Sequence, residues 1–92
     1  MFDIDEKFED YSQPNGKSYL KINSDKPLDP YRISYPITWT GFLNGKPIKI
    51  IQMGQSSSST SDYDFIQFPE DDRGLCGDIA HIIDRKLHKL LD

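Results

Sequence analysis

The chain predicts an α+β fold: a small antiparallel sheet of three to five strands, packed by one C-terminal amphipathic helix. Three patterns predict it. From Tyr31 to Leu43 the odd positions read Tyr31, Ile33, Tyr35, Ile37, Trp39, Gly41 and Leu43, against mostly polar even positions. A period of two marks a strand with one buried face. Asn44-Gly45 follows, then Lys46-Pro47-Ile48-Lys49-Ile50-Ile51-Gln52-Met53. Asn-Gly between two such runs is a strong hairpin signal, because both residues accept positive φ. From Leu75, apolar residues recur at Ile79, Ile82, Ile83, Leu87, Leu90 and Leu91, spaced to form one helical stripe over 75–91.

The hairpin spanning 31–53 is expected at the centre of the sheet. A two-residue turn at Asn44-Gly45 fixes its register: Leu43 opposes Lys46, Gly41 opposes Ile48, Trp39 opposes Ile50 and Ile37 opposes Gln52. Opposed residues share a face, so Trp39, Ile37, Ile48 and Ile50 gather on one side. Pro36 cannot donate to a ladder and implies an edge, a bulge or a break there.

The other elements are read in chain order. Residues 1–12 alternate at Phe2 and Ile4 and suit either an edge strand or a short helical turn. Gln13-Pro14-Asn15-Gly16 is a turn by composition. Ser18 to Asn23 reads as a strand with Leu20 and Ile22 on one face and Tyr19 and Lys21 on the other. Ser24 to Pro30, with Pro27 and Pro30, is a loop. Residues 55–61 (Gln-Ser-Ser-Ser-Ser-Thr-Ser) bury no apolar area to offset their ordering entropy, which predicts a mobile loop. Tyr63 to Phe68 is a further strand, with Tyr63, Phe65 and Gln67 on one face and Asp64, Ile66 and Phe68 on the other. Asp71 or Asp72 can cap the helix. Gly77 weakens its first turn, so a start as late as Asp78 is compatible with the pattern.

Ninety-two residues suit one domain, 1–92, with room for one core. The net charge is −4, which disfavours direct attraction to nucleic acid. Residues 1–10 carry five acids against Lys7, and residues 62–72 carry five acids and no base. Such fields steer association with basic partners. Cys76 is the one cysteine, so no internal disulfide forms. No apolar run has the ~18 residues of a membrane span, and residues 1–10 lack the basic and apolar regions of a signal peptide. The expected location is cytoplasmic, with no membrane partner.

Candidate chemistry is sparse. His81, Asp84 and His88 share one side of the helix, but the histidines are two turns, about 10 Å, apart, too far for one metal ion. Cys76 near a helix N-terminus has a favoured thiolate, but His81, five residues on, points elsewhere. The serine run lacks the glycines and lysine of a phosphate loop. The acid pairs lack calcium-loop spacing. No cofactor or metal is expected. The aromatics are interleaved with Thr, Ser and Asp rather than Lys and Arg, which suits packing or a protein interface better than base stacking.

One helix covers one face of a sheet. The other is expected to expose Tyr19, Phe42, Ile51, Met53 and one side of the 63–68 strand, which would serve a partner or a dimer joined through a sheet edge. The leading functional expectation is a small acidic protein-binding module that occludes a basic or catalytic surface of another protein, as inhibitors, immunity proteins and phage antagonists do. Its expected contact residues are acids beside aromatics: Asp62, Tyr63, Asp64, Glu70, Asp71 and Asp72. The competing expectation is a small enzyme or accessory subunit that uses Cys76, or His81 with Asp84.

Overall fold

The computed structural model describes residues 2–54, 62–69 and 73–91. Five strands precede one helix: β1 Asp3–Glu9, β2 Lys17–Ser24, β3 Ile37–Leu43, β4 Lys46–Gln52, β5 Tyr63–Gln67 and α1 Arg73–Leu91. The strands form one antiparallel meander in the order β1-β2-β3-β4-β5. The expected mobile loop 55–61 and the proposed helix caps Asp71 and Asp72 lie outside the described residues.

The β3–β4 register is the one the Asn-Gly turn dictates: Leu43 opposes Lys46, Trp39 opposes Ile50 and Ile37 opposes Gln52. Asn44 and Gly45 both adopt positive φ, 52° and 80°, as the tight turn requires. Asn44 also fastens this turn to β2. Its Oδ1 accepts the Tyr19 N–H at 2.8 Å, and its Nδ2 donates to Ser18 Oγ at 3.0 Å. Residues 3–9, which suited strand or helix, form the edge strand, paired with β2 from Asp3–Asn23 to Glu9–Lys17. The carboxylate of Asp10 closes the β1–β2 turn. It accepts the Ser12 N–H and Ser12 and Ser18 hydroxyls, and these bonds hold it below its ordinary pKa.

Two expectations need correction. The strand expected over 31–43 begins only at Ile37. Asp29-Pro30-Tyr31-Arg32 is instead a turn, closed by Arg32 N–H to Asp29 O at 3.1 Å and by Tyr31 N–H to Asp29 Oδ1 at 2.9 Å. Asp at the first and Pro at the second position favour it. Tyr31 therefore stands in solvent, 95% exposed, while Ile33 and Tyr35 still pack against the core from the loop. The Tyr35-Pro36 peptide is cis. The second correction concerns β5. An irregularity opposite Lys49/Ile50 shifts its register, so Phe65 opposes Ile50 while Gln67 opposes Lys49. Gln67 moves to the face away from the helix, and Phe68 packs on the core edge-to-face with Phe65, ring centres 5.2 Å apart. The helix begins at Arg73, earlier than its apolar stripe indicated.

The core lies between one sheet face and α1. Ile4, Leu20, Ile22, Ile37, Trp39, Leu43, Ile48 and Ile50 meet Leu75, Ile79, Ala80, Ile82, Ile83 and Leu87, all buried. Full burial of each large side chain contributes about 1.5–3 kcal/mol. Trp39 is completely enclosed; Phe2 meets it edge-to-face, and its indole N–H donates to Gln52 Oε1 at 2.9 Å. Gln52, equally enclosed, donates in turn to the Gly54 carbonyl at 3.1 Å. The opposite sheet face carries no helix among the described residues, and Phe42, Met53 and Ile66 stay more than half exposed. No described helix is long and apolar enough to cross a membrane.

Candidate functional site

The feature that packing alone does not explain is at the end of the sheet where β3 begins, β4 ends and β5 begins. The register brings these three strand ends together, since Ile37, Gln52 and Tyr63 are successive neighbours across the sheet. Asp62 is held just ahead of β5 because its carbonyl accepts the Met53 N–H at 2.7 Å. Alternation then turns the Tyr63 side chain toward the helix. The loop before β3 adds Tyr35, and α1 adds Asp84 with His81 one turn earlier.

The Tyr63 hydroxyl donates to Asp84 Oδ1 at 2.5 Å. Burial pushes the Asp84 carboxyl above the usual aspartate range, and the charge of Asp62 pushes the same way. The Tyr63 hydrogen bond and His81 oppose them. Burial first, then the hydrogen bond to Asp84, keeps the Tyr63 phenol protonated. Tyr35 is raised by burial and then by the charges of Asp84 and Asp62. Its hydroxyl is buried and makes no hydrogen bond among the described residues. Such an unsatisfied group costs roughly 1–3 kcal/mol.

Chemically, this corner holds two carboxylates and two phenols in a half-buried setting. Among the described side chains the ion pairs are Glu6 with Arg85 and Glu6 with Lys86, so neither Asp62 nor Asp84 has a Lys or Arg against it there. Phenols held protonated are poor nucleophiles and bases near neutral pH. The corner offers acceptors and negative charge, which suits an ammonium or guanidinium group supplied from outside. No three His, Cys, Asp or Glu side chains gather as a metal would require among the described residues.

The contact residues expected from the sequence are distributed differently. Asp62 and Tyr63 belong to this corner, with Tyr63 buried rather than displayed. Asp64 is exposed, opposite Ile51 on the sheet face away from the helix. Glu70, Asp71 and Asp72 lie outside the described residues. Asp84, weighed in the sequence only alongside His81 and His88 on the helix, enters through Tyr63. Tyr35, read there as a buried strand position, enters through its hydroxyl. Cys76 is half-buried on α1 and His81 exposed; five helical residues turn their directions well apart. Set beside known protein families, curated proteins and solved structures, the chain matches none.

Proposed function

We propose that this chain is a small acidic protein-binding module that occludes a basic surface of another protein, as an inhibitor or immunity protein does. The observation that carries the reading is the corner built by Tyr35, Asp62, Tyr63 and Asp84. A half-buried carboxylate beside a second carboxylate, and a phenol with no hydrogen bond among the described residues, is a costly arrangement. A partner's arginine or lysine relieves the carboxylates' share of that cost, because its N–H groups satisfy the open oxygens of Asp62 and Asp84 while its charge neutralises the pair. The net charge of −4 speeds encounter with a basic partner and makes association sensitive to salt. A single cysteine suits a reducing compartment, and the reading places the complex in the cytoplasm.

The test begins with cross-linking capture from the native host. It continues with binding of the purified partner to the wild type and to Asp62→Asn, Asp84→Asn and the double variant. The expected result is a loss of tenfold or more in the double variant, with affinity falling as salt rises. A partner that binds the double variant as tightly as the wild type, or no partner at all, contradicts the proposal.

A further inference from the structure

We propose that the outer edge of β1 is a second docking surface, which takes an extended lysine- or arginine-rich segment of a partner protein as a sixth strand. The inference rests on the reading of the chain as a protein-binding module but uses none of the residues of the Tyr35–Asp84 corner. β1 is an end strand of the sheet, and no described strand pairs with its outer side. Phe2 O accepts the Ser24 N–H and Asp10 N–H donates to Gly16 O, both at 2.9 Å. Antiparallel ladders alternate, so the even residues of β1 bond to β2. The N–H and C=O groups of Asp3, Asp5, Lys7 and Glu9 point outward. Four residues therefore present a strand-length row of backbone groups that no described strand pairs with, the template on which an added strand forms.

The side chains state which strand fits. On the face away from the helix, the outward-bonding residues carry three acids and Lys7. Every second residue of an added strand would stand beside them, where opposite charge favours pairing. The intervening residues would fall on the helix side. There β1 and α1 line an open groove of about 350 Å³ in which Phe8 and Ile82 stand among charged and polar walls, Glu6, Lys7 and Glu9 from β1 and Asp78, His81 and Arg85 from α1. The occupant is thus an extended segment, basic on the face away from the helix, with side chains small enough on the other face to lie along Phe8 and Ile82. A second copy of β1 is a poorer occupant. Each copy carries four acids and one base over Asp3–Glu9, so pairing two copies concentrates like charge.

The experiment titrates two nine-residue peptides into the isotope-labelled chain, one alternating Lys and Val and the other Glu and Val, followed by amide NMR and calorimetry. The Lys-Val peptide should shift the amides of Asp3, Asp5, Lys7 and Glu9 and slow their hydrogen exchange, while the Glu-Val peptide does neither. Two substitutions separate backbone from charge. Lys7→Pro removes an outward N–H but no bond to β2, as an edge tolerates; it should weaken binding at least tenfold although it deletes a positive charge. Lys7→Ala, which deletes the charge alone, should strengthen binding. The proposal is overturned if neither peptide binds, if both bind alike, or if Lys7→Pro, folded by circular dichroism, binds as well as Lys7→Ala. Shifts confined to Tyr35, Asp62 and Asp84, or β1 protection in a dimer without peptide, also overturn it. Because the Asp62 and Asp84 variants test the corner by itself, failure at the edge leaves that test standing.

Discussion

Asp84 and Asp10 are carboxylates with opposite thermodynamic signs. Asp84 has a raised pKa in the folded chain, so its contribution to stability is fully present below the unfolded value of about 3.9 and is lost as pH rises through the folded value. Its charge at neutral pH is a cost. Asp84→Asn keeps an oxygen to accept the Tyr63 hydroxyl and removes that charge. In urea unfolding at pH 7 the variant is expected to match or exceed the wild type, and the difference should shrink as pH approaches 4. Asp10 has a lowered pKa, so its stabilisation is present above about 3.9 and is lost as pH falls through its folded value. Asp10→Ala should cost about 1–3 kcal/mol at pH 7 through the lost hydroxyl and amide bonds, and much less at pH 2. A stabilising loss at Asp84 beside a destabilising loss at Asp10 distinguishes a group kept for binding from one that closes a turn.

At the scale of the elements, two positions in the sheet admit almost no alternative. A Cβ on Gly41 would stand 2.0 Å from the Lys21 carbonyl oxygen and 2.8 Å from Ile22 Cα. Both atoms are backbone, so β2 and β3 must separate to admit it. Gly41→Ala should cost roughly 3 kcal/mol or more by urea unfolding, a value reserved for named steric faults of this kind. Asn44 combines a turn conformation with two side-chain bonds to β2. Asn44→Gly keeps the conformation and loses the bonds, so about 1–2 kcal/mol lost there isolates the fastening from the turn. The hairpin was legible because alternation and turn chemistry gave one register. Residues 31–36 were misread because their alternation continues in burial, through Ile33 and Tyr35, after the backbone has left the sheet at the Asp29–Arg32 turn. The face of Gln67 was misread because one extra residue in a strand reverses every later position, and nothing in Tyr63–Phe68 marks where it falls.

For the whole molecule, the apolar periodicity predicts one sheet face covered by the helix and another that carries no helix among the described residues. Trp39 and the stripe of Ile79, Ile83 and Leu87 are completely enclosed together, so Leu87→Ala should cost about 2–5 kcal/mol by urea unfolding. Architecture was legible because periodicity reports which side of an element is buried. The candidate corner was not, because it joins Tyr35, Asp62, Tyr63 and Asp84 from a loop, a strand start and a helix, and no spacing along the chain encodes that meeting. Only the acids beside aromatics at Asp62 and Tyr63 pointed toward it.

Asp62 and Asp84 stand together, half-buried, with no Lys or Arg against either among the described side chains, and that is the place the proposed partner fills. Carboxyl-carbon NMR titration of Asp84 tests this most directly, in the wild type, in Asp62→Asn, and in the wild type with an arginine-containing peptide of the captured partner. The predicted midpoint lies above the ordinary aspartate value of about 3.9 and drops in both the variant and the complex. A midpoint at or below that value, unmoved by either change, contradicts the account.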